Sequence, residues 1–196
     1  EFPQILIEKF LPLAFTLHTT FPSLVAQKEC LYFLREFIKH VRDIPIDAFV
    51  QINQEMSDIL RSEKHSKLHS RSIEIIQREL LYYPMSYEML IETGIIPIIN
   101  TFLQSNTDTC LHAANRVFSI IFTDHNMNVD VVFPHLKYES IVENVGYEIN
   151  QNIQKSTIYL IMDMVSRGSQ FIEQLFRFDL VSLISDIFSE SELSIK

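Results

Sequence analysis

Two histidines one helical turn apart, His65 and His69, have the residue type and spacing that could bind a metal. Histidines at positions i and i+4 present neighbouring ring nitrogens on one helix face, as in zinc proteases with a His-Glu-x-x-His sequence. Here Ser66, Lys67 and Leu68 stand between them, so the glutamate that would act as general base is missing. We therefore expect two surface histidines on a helix and no metal centre.

Two further groupings could support nucleophilic or acid–base chemistry. Cys110 and His112 lie two positions apart, and on a helix this spacing points side chains to different faces, away from each other. The Asp124-His125 pair precedes Asn126 at a repeat junction and is typical of a turn. The sequence contains no glycine-rich phosphate loop, no Gly-x-Ser-x-Gly elbow and no Cys/His metal spacing. We expect no catalytic residue, no cofactor and no enzymatic activity.

The elements that must position these residues recur along the chain. The stretch LIETGIIPIINTFLQS (90–105) aligns in its apolar positions with LFRFDLVSLISDIFSE (175–190), 85 residues further on, and with ILIEKFLPLAFTLHTT (5–20), 85 residues earlier. Other apolar runs recur at half that interval, and a period of about 42 residues belongs to the armadillo and HEAT class of helical repeats. We predict one repeat domain, 1–196, of four complete units and an incomplete fifth, with boundaries near 1–42, 43–83, 84–124, 125–167 and 168–196.

Composition agrees with a helical repeat. The chain is 47% hydrophobic, but it has only three glycines and seven prolines in 196 residues, whereas all-β folds need many glycine-bearing turns. The apolar residues recur at i, i+3, i+4 and i+7, the pattern of an amphipathic helix. We therefore predict an all-α fold, a right-handed α-solenoid of armadillo-like and partly HEAT-like repeats.

Targeting features and cysteines indicate an intracellular protein. The longest apolar stretch, IIPIINTFL (95–103), is too short to cross a membrane, and no basic region precedes an apolar core as in a signal peptide. Cys30 and Cys110 fall on apolar faces of different repeats, which predicts two buried reduced thiols. The sequence does not divide cytosol from nucleus. The chain starts with Glu1-Phe2 and no methionine, and two interpretations stay open: a native chain or a piece of a longer protein.

The net charge of −9 argues against nucleic acid as the main partner, because binding phosphates needs clustered lysines and arginines. The charge is uneven along the chain: acids predominate over 139–192, and a basic stretch lies over 61–78. Either the two charged regions are solvated helix faces or they form a bipolar surface that orients a partner. The basic residues are Arg61, Lys64, Lys67, Arg71 and Arg78.

The segment 86–124, SYEMLIETGIIPIINTFLQSNTDTCLHAANRVFSIIFTD, resembles an armadillo repeat. A short first helix ends at Gly94, where a left-handed corner costs glycine least. A second helix follows, and a third opens near Asp108, whose carboxylate is expected to cap it. Ala113 and Ala114 would let this third helix pack closely on its neighbours.

The resemblance covers most of the chain and is strongest over 84–190. The segment 154–190 repeats the pattern, with Gly168 in the turn after the third helix. Residues 47–61 are typical of one uninterrupted helix, closer to HEAT repeats. At the other corners the glycine is replaced by Lys9, Lys137 and Asp179.

The resemblance implies a concave groove, lined by the third helices, that binds an extended peptide. Nuclear-import adaptors of this family carry a tryptophan and, four residues on, an asparagine on successive third helices. The present chain contains no tryptophan and has no asparagine at the partner position, which disfavours that role. The equivalent pairs here are Tyr32/Glu36, Glu74/Arg78, Arg116/Ile120 and Tyr159/Asp163.

We therefore predict a non-enzymatic scaffold that binds a protein or peptide partner, without nucleic acid binding or membrane insertion. The alternatives are an oligomerisation or autoinhibitory segment of a larger cytoskeletal or signalling protein, which would self-associate, and a nuclear-import adaptor. The incomplete fifth unit has only equivalents of the first two helices (about 169–178 and 180–189), so the last apolar face needs a cover. The predicted groove residues are Tyr32, Glu36, Glu74, Arg78, Arg116, Tyr159 and Asp163.

Overall fold

The computed structural model describes residues 5–20, 23–146, 149–182 and 184–185. These residues form helices joined by short turns, and no strand occurs among them. The predicted all-α class is confirmed: the helical spacing of the apolar residues outweighs the strand preference of the many isoleucines and phenylalanines. The chain divides into two compact units, 1–99 and 100–196. None of the described helices combines the length and apolar character that a membrane span requires.

Unit 1 (1–99) is built around three long helices. A π-helical turn, Leu6–Phe10, leads into the first helix, and short 3-10 turns, Glu63–Leu68 and Pro84–Ser86, precede the fourth and fifth helices. Helix α6 runs across the division between the units. The helices are α1 (Leu11–Thr20), α2 (Leu24–His40), α3 (Ile46–Arg61), α4 (His69–Tyr82), α5 (Tyr87–Glu92) and α6 (Ile95–Thr101).

The core of unit 1 lies between α2, α3 and α4, and α2 packs against α4. Helix α3 is uninterrupted, as predicted, because its apolar residues recur on one face and are buried there, among them Phe49, Ile52 and Met56. The centre of the Phe49 ring also lies 4.8 Å from the centre of the Tyr83 ring, in an edge-to-face arrangement. Burial of such side chains from water is the main stabilising term of the unit.

Unit 2 (100–196) repeats the arrangement with two long helices. Three aromatic side chains pack together in its core. The centre of the Phe171 ring lies 4.9 Å from that of Phe122 and 5.2 Å from that of Phe133, and both contacts are edge to face. Gly168 separates the last two helices, in the turn where the sequence predicted it. The helices are α7 (Asp108–Thr123), α8 (Tyr138–Glu143), α9 (Gln151–Arg167) and α10 (Ser169–Phe176), with 3-10 turns at Phe102–Gln104, Val129–Val131 and Phe133–His135.

Hydrogen bonds within each unit join residues about one repeat apart. The Tyr83 hydroxyl donates to the carbonyl of Val41, 42 positions earlier. In unit 2, Asn144 Nδ2 donates to the carbonyl of Leu103 at 2.9 Å, 41 positions away, and Arg167 donates to the carbonyl of Asp124 at 3.2 Å, 43 positions away. Stacked repeats place equivalent residues side by side, so these separations express the sequence period of about 42 as contacts.

The corner between α5 and α6 has the predicted left-handed backbone, with Gly94 at φ +75°. One repeat pair later, Asp179 takes the same conformation at φ 59°. Aspartate tolerates this region better than most residues because its short side chain bonds locally. Lys137 has an ordinary φ of −86°, and Lys9 lies inside the π-helical turn.

Three local expectations need correction or fall outside the described residues. Thr107, and not Asp108, is the N-cap residue of α7; Asp108 is the first helical residue, where its negative charge favours the helix dipole. His65 and His69 do not share one helix, because His65 lies in the 3-10 turn and has a non-helical backbone. Of the last predicted helix, only 180–182 and 184–185 are described, and both parts are helical.

Candidate functional site

A cleft of about 900 Å³ lies between α7 and α9 in unit 2. These are the helices that the sequence predicts as third helices of successive repeats, and three of the predicted groove residues line the cleft: Arg116, Tyr159 and Asp163. Whether this surface binds a partner stays a prediction; the structure shows that these three side chains share one concave surface.

Helical periodicity positions the lining of the cleft. On α7 one face, including Val117, Phe118 and Ile121, is fully buried in the core of unit 2. Residues three or four positions apart on the other side of the helix therefore face the cleft. The same holds for α9, whose Leu160 and Met164 are fully buried. The cleft-lining residues of α7 include Asp108, His112, Asn115, Arg116 and Ser119, and those of α9 include Asn152, Lys155, Ser156, Tyr159 and Asp163.

A buried amide holds the floor of the cleft. Asn115 is only 1% exposed, and its Nδ2 donates to Ser156 Oγ at 3.1 Å and to Thr157 Oγ1 at 2.9 Å. Both hydroxyls in turn donate to the carbonyl of Ile153 at 2.9 Å. Buried polar groups are stable when hydrogen-bonded, so this network fixes α9 relative to α7. An asparagine at the buried phase of a helix was the sequence signal for it.

The rim of the cleft carries both charges and an aromatic ring. The Ser119 hydroxyl donates to the Asp163 carboxylate across the cleft. Tyr159 is 52% exposed, and Lys155 Nζ lies 5.9 Å from the centre of its ring. Arg116 is exposed on α7. This arrangement offers cationic, anionic and aromatic groups to a bound chain within one surface.

In unit 1 the predicted residues lie on α2 and α4, where an arginine joins them. Arg35 donates to Glu36 at 3.0 Å and to Glu74 at 3.3 Å, and its guanidinium lies 4.8 Å from the centre of the Tyr32 ring. Arg71 approaches Glu74 at 2.8 Å. The hydrogen bond from Arg35 is the main reason why the pKa of Glu36 falls below its usual value.

The structure thus links Tyr32, Glu36 and Glu74 through Arg35, and it places Arg78 half-buried on α4. Sequence reasoning missed Arg35, Asn115, Ser119 and Lys155. Arg35 and Asn115 each lie one position before a predicted groove residue, Lys155 lies four positions before one, and Ser119 lies three positions after one. These residues therefore lie on or beside the helix face that carries the predicted groove residues.

The cleft is not lined by the following side chains, which could support catalysis or bind a metal: His69, Cys30, Cys110 and Asp124. His69 Nε2 lies 3.0 Å from the carbonyl oxygen of Ser62, a contact that orients the ring within the turn. Cys30 and Cys110 are buried and do not form a disulfide, as predicted. Asp124 Oδ1 accepts from the backbone N of Asn126 at 2.9 Å, which confirms the turn. Across the described ranges, no group of three or more histidine, cysteine, aspartate or glutamate side chains could hold a metal.

One carboxyl group lies in the interior of unit 1. Glu79 on α4 is fully buried, and its Oε1 accepts a hydrogen bond from Asn53 Nδ2 at 3.1 Å, while its Oε2 has no hydrogen-bond partner. Burial raises the pKa of Glu79 to about 7, and the bond from Asn53 opposes the shift only in part. The group is far from solvent, so its effect is on stability.

No family model and no curated protein sequence matches the chain. Solved structures do. A designed armadillo repeat protein in complex with peptide (KR)4 has a TM-score of 0.68 at 15% identity, over 91% of this chain and 74% of that one. A structure of computationally designed armadillo repeat proteins for modular peptide recognition has a TM-score of 0.68 at 14% sequence identity. The match covers 87% of this chain and 71% of that one. An engineered protein has a TM-score of 0.72 at 15% sequence identity, and the match covers 89% of this chain and 70% of that one.

These similarities confirm the armadillo-like resemblance and the all-α solenoid class. At such low sequence identity they establish the fold, and the function has to be argued from the residues of the cleft.

Proposed function

We propose that the protein is a non-enzymatic scaffold that binds an extended segment of a protein partner in the cleft between α7 and α9. The observation that carries the proposal is the cleft itself, about 900 Å³ in volume and lined by Arg116, Tyr159 and Asp163. The designed armadillo repeat protein of similar fold is in complex with a peptide, which supports the same mode of binding here.

The dimensions suit an extended chain. Packed helices lie about 8–10 Å apart, and an extended peptide advances about 3.3 Å per residue. One pair of third helices would therefore contact about three residues of the partner. The predicted residues of unit 1, Tyr32, Glu36, Glu74 and Arg78, are proposed as contacts for further partner residues.

The chemistry of the cleft favours a partner of mixed charge. Arg116 can bind a carboxylate through two parallel hydrogen bonds. Asp108 and Asp163 suit lysine or arginine side chains, and Tyr159 offers a rigid contact surface with a polar tip. We expect the preferred segment to carry an acidic residue opposite Arg116 and a basic residue opposite Asp163.

The test is a selection of displayed random peptides, about ten residues long, on the full chain, followed by affinity measurements on the selected peptides. Arg116→Glu and Tyr159→Ala should each weaken binding at least about tenfold, equivalent to about 1.4 kcal/mol. The matched controls are Arg42→Glu and Tyr82→Ala, which change the same residue types at exposed positions outside the cleft. Circular dichroism and melting temperature establish that each variant is folded.

The outcomes separate the alternatives. Selected peptides of alternating charge whose affinity depends on Arg116 and Tyr159 support the scaffold. Peptides that consist mainly of lysine and arginine, with affinity insensitive to Arg116→Glu, would favour a nuclear-import adaptor. If the controls weaken binding as much as the cleft variants do, the cleft is not the binding site.

A further inference from the structure

Third helices in this fold have two opposite faces that meet neighbouring repeats. We call the face toward the following repeat the trailing face and the face toward the preceding repeat the leading face. In unit 2 the trailing face of α7 consists of Asn115, Ser119 and Phe122, which contact α9 and α10. In unit 1 the trailing face of α2 consists of Leu31, Arg35 and Ile38; Arg35 bonds to α4, and the other two are buried.

The trailing face of α9 is exposed within the part of the chain that the structure describes. Its residues, by repeat equivalence, are Ile158, Met162 and Val165, spaced i, i+4 and i+7 along one stripe. Their side chains are 36%, 59% and 40% exposed. On α2 and α7 the residues equivalent to Ile158 and Val165 are all buried. Three apolar side chains in the position of a helix-packing surface indicate a surface made for contact.

The leading face of α2 is only partly covered: Cys30 is buried there, whereas Ala26 and Phe33 are half-buried and Glu29 is exposed. Together with α1 this face forms an apolar cleft of about 380 Å³ in unit 1. Phe10 and Leu13 of α1 are 48% and 49% exposed there. The equivalent leading face of α9, which meets α7, is buried and consists of Ile153, Ser156, Thr157 and Leu160. The cleft is lined by Phe10, Leu13, Ala26, Glu29, Cys30 and Phe33, among others.

We propose that these two faces bind each other between copies of the chain, so that the trailing face of α9 in one copy packs into the α1–α2 cleft of a second copy. The contact would continue the interface that α7 and α9 already form within unit 2. The inference concerns a different surface from the peptide cleft and does not rest on the proposed function.

Two different faces give a head-to-tail contact, which does not close at a dimer. Association of this kind yields rings or open chains. Each face presents only a few apolar side chains, and interfaces well below the standard size bind weakly. The mass in solution should therefore rise gradually with protein concentration, without a plateau at twice the 23.0 kDa of the chain.

The test uses light scattering over a range of concentrations on the full chain and three variants. Met162→Glu puts a charge on the trailing face, and Leu13→Glu puts one in the cleft. Met85→Glu is the matched control, because Met85 is 87% exposed and lies on neither face. Circular dichroism and melting temperature show whether each variant keeps the fold.

We expect the parent chain and Met85→Glu to associate and the two face variants to be monomeric alone. An equimolar mixture of the two face variants should form a complex of twice the chain mass and no larger, because each supplies the face that the other has lost. A parent chain that stays monomeric at all concentrations would overturn the proposal. So would association by either face variant alone, or a mixture that stays monomeric.

Discussion

The two pairs of stacked third helices, α2–α4 in unit 1 and α7–α9 in unit 2, use different residues at the equivalent position that connects one third helix to the next. In unit 1 the position holds Arg35, which is 20% exposed at its side chain and reaches α4 to bond with Glu74. In unit 2 it holds Ser119, whose short hydroxyl bonds to Asp163 on α9. Both residues connect a third helix to the next one, by different means.

The comparison shows how one side chain decides what a repeat junction can do. A long arginine lies along the junction and pairs with Glu36 and Glu74, so these two acidic residues already have a partner within the chain. A serine makes the same connection with little volume, and the α7–α9 cleft stays open with Tyr159 and Arg116 at its rim. The same repeat position thus carries a set of ion pairs in unit 1 and a hydrogen bond beside the cleft in unit 2.

The largest expected effects are losses of stability caused by core substitutions, and they should be similar in the two units. Ile76 of α4, Phe118 of α7 and Ile161 of α9 occupy the same phase of the repeat and are all buried. Replacing any of them by alanine leaves a cavity and should lower the free energy of unfolding by about 2–5 kcal/mol. Urea denaturation measures the loss, with Met85→Ala as the exposed control, expected within about 0.5 kcal/mol of the parent. A small loss at Phe118 or Ile161 alone would show that unit 2 is loosely packed.

A second effect should be confined to unit 1. Glu79 occupies the position that holds Ile121 and Met164 in unit 2, all three fully buried. Burial raises the pKa of Glu79 to about 7 in the folded chain, from an ordinary value of 4.5. The folded state therefore binds more protons between these values, and its stability falls as the pH rises from about 4.5 to about 7. A shift of this size corresponds to about 3 kcal/mol.

The measurement is the free energy of unfolding as a function of pH for the parent and for Glu79→Gln, whose neutral amide keeps the shape. The difference between the two curves isolates Glu79 from the other carboxyl groups. We expect the decline between about pH 4.5 and about pH 7 to be absent in the variant. Parallel curves would show that Glu79 reaches solvent.

The third effect addresses the arginine of the comparison directly. Arg35→Ser gives unit 1 the residue of unit 2 and removes the bonds to Glu36 and Glu74. Partly exposed ion pairs contribute little, so the loss of stability should be about 1 kcal/mol. Arg42→Ser, at an exposed position, serves as the control in the same urea titration. A loss as large as that of the core variants would mean that the arginine holds the α2–α4 junction together.

The smallest effect concerns the histidine pair. His65→Ala with His69→Ala removes the contact of His69 with the Ser62 carbonyl and should cost about 1 kcal/mol or less. Zinc should leave the melting temperature of the parent unchanged. A melting temperature that rises with zinc, and does so only with both histidines present, would reveal a metal site.

Much of the fold was readable from the sequence because helical repeats depend on local spacing. The apolar phase placed Phe118 and Ile161 in the core, and the requirement for a left-handed corner placed Gly94. The left-handed backbone at Asp179 was not predicted, because glycine is the only residue type that clearly indicates a positive φ in a sequence. The kink at His65 was also missed, because the residues on either side of it continue a helical pattern.

Part of the lining of the candidate site could be predicted from helix phase. Arg116, Tyr159 and Asp163 line the cleft, since residues four apart share a helix face, whereas Ile120 is not part of its lining. That a partner binds there stays a prediction. The roles of Arg35, Asn115 and Ser119 depend on which residue of the next repeat each one meets. That is set by contacts about 42 positions away, and no local pattern in the sequence reports side-chain length across such a junction.

Hydrogen exchange of the parent chain and of Ser119→Arg, each with and without a peptide selected on the parent, tests the binding cleft most directly. Ser119→Arg places in unit 2 the side chain that spans the junction in unit 1, so it should fill the cleft. We expect the peptide to slow exchange in 108–123 and 151–167 of the parent and to have no effect on the variant. Protection confined to other helices, or equal protection in Ser119→Arg, would contradict binding in the α7–α9 cleft.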